Sequence, residues 1–149
     1  MSLPLSHRIG PALPEELPEV HALLQSHGLP TEGLEPFIDT LLVSRSRGRI
    51  IGCAALEIYG AAALLRSVAV EVGWQGRGLG ADLEEKARRL ARARGAREIF
   101  LLTTTAAEYF TRLGFARCAR DDAPEAMRRS LQFTTQCPSS AVVMRRALE

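Results

Sequence analysis

Residues 64–80, LLRSVAVEVGWQGRGLG, constrain the fold more than any other stretch of this chain. An apolar, β-branched run ends at Val70, a short turn follows, and Gln75-Gly76-Arg77-Gly78-Leu79-Gly80 opens a segment rich in Ala, Leu, Glu and Arg. Strand, glycine loop and helix start, in that order, make a place to hold phosphate. The first N–H groups of a helix have no intrahelical partner and carry partial positive charge. Glycines let the backbone approach a pyrophosphate without Cβ clashes. The bland reading of the same six residues is a glycine turn ahead of an ordinary helix.

The spacing narrows the ligand. A dinucleotide fingerprint needs G-x-G-x-x-G, whereas Gly76, Gly78 and Gly80 are two apart throughout, and no G-x-x-x-x-G-K-[S/T] run exists. A Q/R-x-x-G-x-G/A loop after a strand instead resembles motif A of the GCN5-related N-acetyltransferases, with Gln75, Gly78 and Gly80 at its three defining positions. The resemblance implies that the amides of residues 75–80, Gly76, Arg77 and Leu79 included, hold the pyrophosphate of acetyl-CoA. It further implies that Val68, Ala69 and Val70 offer backbone N–H groups to the pantetheine arm and the thioester oxygen, where charge develops during acyl transfer.

Length and composition set bounds. The 149 residues fit one domain, 1–149, with a single sizeable core. An apolar fraction of 46% and a charged fraction of 24% are those of an ordinary soluble protein. A net charge of +2, with both signs interspersed, points away from nucleic acid and from a membrane surface. No apolar run reaches spanning length, and MSLPLSHRIG lacks a signal-peptide core, so the expected location is cytoplasmic. Cys53, Cys118 and Cys137 are odd in number and far apart, which argues against a disulfide framework.

Helices are expected over 14–27, where Pro14 stands ahead of Glu15 and Glu16, and over 31–38. Strands at 41–44, 49–58 and 61–70 form an antiparallel meander, because their connections are too short for a crossover. A helix over 81–94 buries Leu83, Ala87, Leu90 and Ala91, with Leu79 ahead of it on the same face. It presents Glu84, Glu85, Arg88, Arg89, Arg92 and Arg94 to solvent. Gly95 ends it. A strand at 98–103 completes one right-handed parallel crossover. A helix over 106–113, a strand at 115–119, a helix over 124–133 and a last strand at 141–147 follow. The expected class is α/β: a mixed, mostly antiparallel sheet flanked by helices, the acetyltransferase fold.

The acetyltransferases commonly carry N-x-x-A-x-x-L-Y-x-x-x-G-F after the fifth strand. Residues 103–115 align with it, and Ala106, Gly114 and Phe115 match. The alignment implies that Thr103, Ala106 and Phe110 line the cofactor. Thr103 replaces the usual Asn, and Phe110 replaces a tyrosine that often protonates the departing thiolate. A phenyl ring has no proton to give. Tyr109 is the neighbouring candidate acid, although adjacent helical side chains point about 100° apart; a bound water is the alternative. The tail, with Ala123-Pro124-Glu125-Ala126 and Cys137-Pro138-Ser139-Ser140-Ala141, resembles the small arsenic-resistance N-acetyltransferases, an overlap running from Leu41 onward.

The activity implied is transfer of an acetyl group from acetyl-CoA to a small-molecule amine, an amino acid-like toxin or arsenical. The alternative is a protein that binds acyl-CoA or an arsenical without turnover. An ammonium cannot attack a thioester, so some group must take its proton. Glu57 is the first candidate base and Glu71 the second; either could equally be a solvated carboxylate. Arg66 suits an acidic substrate or a carboxylate such as Glu57. Arg45, Arg47 and Arg49 read as surface charge around a turn. His7, His21 and His27 lack metal-ligand spacing, so no metal is expected. Cys53 reads as buried packing, whereas Cys118 and Cys137 are either two unrelated thiols or a soft-ion pair. The last strand and the tail helix offer a surface for a homodimer.

Overall fold

The computed structural model describes residues 8–148. Seven strands form one sheet: β1 (Arg8–Pro11), β2 (Leu41–Ser46), β3 (Arg49–Tyr59), β4 (Ala62–Val70), β5 (Glu98–Thr103), β6 (Ala116–Cys118) and β7 (Val142–Ala147). Their order is β1-β2-β3-β4-β5-β7-β6. The helices are α1 (Leu17–Ser26), α2 (Leu79–Ala93), α3 (Ala107–Arg112) and α4 (Glu125–Arg128). β4 and β5 pair in parallel, while β1–β2, β2–β3, β5–β7 and β6–β7 are antiparallel. The expected mixed, mostly antiparallel sheet with flanking helices is what forms.

The described residues divide into two units, 8–56 with 67–87, and 57–66 with 88–148. In the first, a 3-10 turn over Pro14–Glu16 leads into α1, whose Val20, Leu23 and Leu24 are buried against Leu34, Leu41, Val43 and Cys53. β3 is buried without a break from Ile50 to Glu57, the run of a strand covered on both faces. β1 is an edge strand that periodicity did not foretell: four residues, Arg8–Pro11, offer too little alternation to register. Arg45, expected at the surface, grips both Glu16 carboxylate oxygens at 2.7 and 2.5 Å and donates to the Pro11 carbonyl. His7 lies outside the described residues.

In the second unit, Ala62, Leu64, Phe100, Met127, Phe133 and Val143 make the core, with Tyr59, Leu102 and Cys118 packed against it. The helix expected over 124–133 divides. α4 ends at Arg128, and a π-helical turn runs over Gln132–Gln136. A new turn starts at Ser130, whose hydroxyl accepts the Phe133 N–H at 3.5 Å as a helix N-cap does, while its carbonyl accepts the Thr134 N–H and hydroxyl. Gly114 has φ +107, and a Cβ there would meet Arg146 Nη1 at 2.7 Å. Arg146 donates to the Leu113 carbonyl, which accounts for a glycine at this position.

Candidate active site

β4 ends irregularly. Ser67 has φ +57, which an L-residue adopts rarely, and the alternation of burial shifts there: Arg66 is buried, Ser67 and Val68 half-buried, Ala69 buried, Val70 half-buried. A 3-10 turn, Val72–Trp74, follows. Gly76 and Gly78 take φ of +79 and +85, and a Cβ on either would project into open space. Residues 75–78 are exposed, and the chain enters α2 at buried Leu79. Leu79, the first helical residue, precedes the expected start of α2. Gly80 therefore lies inside its first turn, where N–H groups are unpaired.

The loop is held from several sides. The Gln75 side-chain amide donates to the Val70 carbonyl at 3.0 Å. Arg77 lies over the Trp74 ring, 5.0 Å from its centroid, a cation–π contact that keeps the guanidinium at the loop. Gly52 on β3 lets α2 come close, since a Cβ there would stand 2.9 Å from Leu83 Cδ1 and 3.3 Å from Leu79 Cδ2. Glu84, expected on the solvated face of α2, is buried at 2% exposure. Glu71, the second candidate base, is engaged by Arg49 at 2.7 Å.

The second unit carries the remaining candidates. The parallel ladder of β4 with β5 covers Ala62–Leu64 against Glu98–Phe100, and β5 continues along β7 to Thr103. Thr103 accepts the Ala106 N–H through its hydroxyl at 2.9 Å, tying the turn before α3 as an asparagine side chain can. Within α3, Phe110 is buried and Tyr109 half-buried, the two rings edge-to-face at 5.2 Å. Phe110 also packs edge-to-face on Phe115. Core packing thus falls to Phe110, 8% exposed, more than to Tyr109.

Glu57 and Arg66 form an ion pair at 2.8 Å with side chains 2% and 0% exposed. The other Glu57 oxygen accepts from the Tyr59 hydroxyl. Burial first, and Glu57 second, push the Tyr59 phenol well above the usual tyrosine range, so it stays protonated and donates. Glu57 is one of the two partners expected for Arg66. Burial also pushes up the thiols of Cys118 and Cys137, opposed at each by an arginine, Arg145 and Arg120 respectively. Neutral thiols are weak ligands for soft ions.

A strand ending in a glycine loop at a helix start, in a sheet of this order, is the scaffold that the acetyltransferase resemblance implies. The sequence profile of the acetyltransferase (GNAT) domain matches residues 38–117, and the chain belongs to that family. An uncharacterized N-acetyltransferase, CT2212 of Chlorobaculum tepidum, is 31% identical over 108 residues, 72% of this chain and 67% of that protein. An amino-acid acetyltransferase of Ralstonia nicotianae is 35% identical over 98 residues, 64% of this chain and 22% of that enzyme. Among solved structures, the N-acetylglutamate synthase of Neisseria gonorrhoeae, complexed with coenzyme A and N-acetyl-glutamate, superposes with a TM-score of 0.84 at 26% identity. It covers 96% of this chain, which spans 35% of the synthase chain. Among the described residues, no helix is long and apolar enough to cross a membrane.

Two contributors escaped the sequence reading. Trp74 stands three residues before Arg77, a spacing that could have suggested the stack. His27 donates to the Val70 carbonyl from 43 residues away, and nothing local announces that contact.

Proposed function

We propose that this chain transfers the acetyl group of acetyl-CoA to the amine of a small, amino acid-like acceptor. The loop carries this reading: exposed glycines at positive φ, an arginine stacked on a tryptophan, and a helix start directly behind. Backbone amides of 75–80 hold the pyrophosphate, and those of Val68, Ala69 and Val70 hold the pantetheine and the thioester oxygen. Thr103, Ala106 and Phe110 line the cofactor. The amine attacks the thioester carbonyl, its C–N bond forming as the C–S bond breaks. Tyr109 supplies the proton that the departing thiolate takes, and Glu57 takes the proton the ammonium must lose.

Relatives that acetylate amino acids support the acceptor class. The tail, with its Ala-Pro-Glu-Ala and Cys-Pro-Ser-Ser-Ala runs, extends it to amino acid-like toxins and arsenicals. Non-catalytic acyl-CoA binding is the second reading, favoured by a phenylalanine at the usual tyrosine position.

Titration calorimetry of acetyl-CoA into wild type and Gly78→Glu tests the first reading. Gly78→Glu places a carboxylate and a strained φ in the loop, so its affinity falls by more than about tenfold. Wild type that takes up no acetyl-CoA at millimolar concentration sinks the proposal. Release of free CoA that depends on an added amine excludes the non-catalytic reading.

A further inference from the structure

The Val70 carbonyl, the last of β4, receives two side-chain donors. His27 Nε2 lies 2.7 Å from it and Gln75 Nε2 3.0 Å. A carbonyl oxygen only accepts, so the contact assigns the proton of His27 to Nε2. The N–H on the far side of the same peptide, that of Glu71, donates to the Ile51 carbonyl at 2.8 Å. Arg49 in turn holds the Glu71 carboxylate. The peptide at which strand becomes loop is therefore fastened through both its polar groups.

His27 is the residue that caps α1, and its own N–H bonds back to the last turn of that helix. It is half-buried. A side chain fixed by a helix end brings a nearly prepaid donor to the junction, whereas Gln75 belongs to the loop it is bracing. We propose that His27 is a positioning residue for the cofactor loop: it sets acetyl-CoA affinity by holding the Val70 carbonyl, and takes no part in proton transfer. This rests on the acetyl-CoA reading above.

Three forms of the protein test it: wild type, His27→Leu and His27→Gln, whose amide nitrogen can reach the same carbonyl. Acetyl-CoA affinity is read by calorimetry, and loop order by amide exchange over residues 70–78 without cofactor. Losing one hydrogen bond in His27→Leu weakens binding about three- to tenfold and speeds exchange by a similar factor. His27→Gln stays within about twofold of wild type in both. Should His27→Leu fail to fold, His27→Asn, one carbon too short, takes its place with the same expected loss.

Wild-type behaviour in the Leu variant overturns the proposal, and so does a Gln variant impaired as severely as Leu. Wild type without acetyl-CoA affinity would refute the cofactor reading instead. The exchange comparison would then decide the role of His27 alone.

Discussion

Glu57 and Arg66 are the residues whose energetics are least forgiving. Both charges are out of water, and their attraction only offsets that desolvation while the pair is intact. Arg66→Met strands a buried carboxylate and costs about 3–5 kcal/mol, read by urea unfolding. Adding Glu57→Met removes the orphan charge and recovers most of the loss, since an apolar pair of similar volume is often neutral. A double variant no more stable than Arg66→Met would show that the cost lies in lost arginine packing. The same geometry bears on chemistry. A carboxylate with one oxygen on Arg66 and the other on Tyr59 keeps a second lone pair on each oxygen, and an amine proton would be taken there.

At the scale of elements, the approach of α2 to β3 governs the loop, because Leu79 is both the end of the loop and the first helical residue. Gly52→Ala would push a methyl to 2.9 Å from Leu83, a fully buried side chain with little room to turn. Overpacking of this kind costs about 1–3 kcal/mol. Since α2 must shift to relieve it, acetyl-CoA affinity falls along with the urea midpoint. Loss of stability with unchanged affinity would show that the loop does not follow the helix. The legibility of the chain divides along the same line. The strands of the meander, the crossover and the loop were readable because apolar periodicity and glycine chemistry are local. Gly52 was not, since inside a strand nothing in sequence reveals what approaches it. Glu84 misled for a related reason: its place on a charged helical face says nothing of the buried setting that tertiary packing provides. The tail helix failed at Ser130, where side-chain and main-chain capping overrode a continuous helical pattern.

For the whole molecule, a net charge of +2 leaves little long-range field, so the pH dependence of stability falls to individual groups. Cys53 is the clearest of these. It is fully buried, its thiol donates to the Ser67 carbonyl at 3.2 Å, and burial pushes its pKa from 9.0 up to about 12. Below pH 9 the thiol is protonated in folded and unfolded chains alike and contributes no slope. Above pH 9 the unfolded chain releases this proton while the folded chain keeps it, so stability falls as pH rises, until the folded thiol itself titrates. One such group costs about 1.4 kcal/mol per pH unit over that window. The other ionisable groups are common to wild type and Cys53→Ala, so the difference between the two isolates the thiol. Cys53→Ala starts less stable at pH 8 because of the cavity it leaves. The gap then closes from pH 9 upward as wild type loses what the variant never had. Urea unfolding of both proteins between pH 8 and 11 reads this directly. A gap that stays constant across that interval would mean that the Cys53 thiolate is tolerated in the fold, and that β3 and β4 admit water where the packing implies they do not.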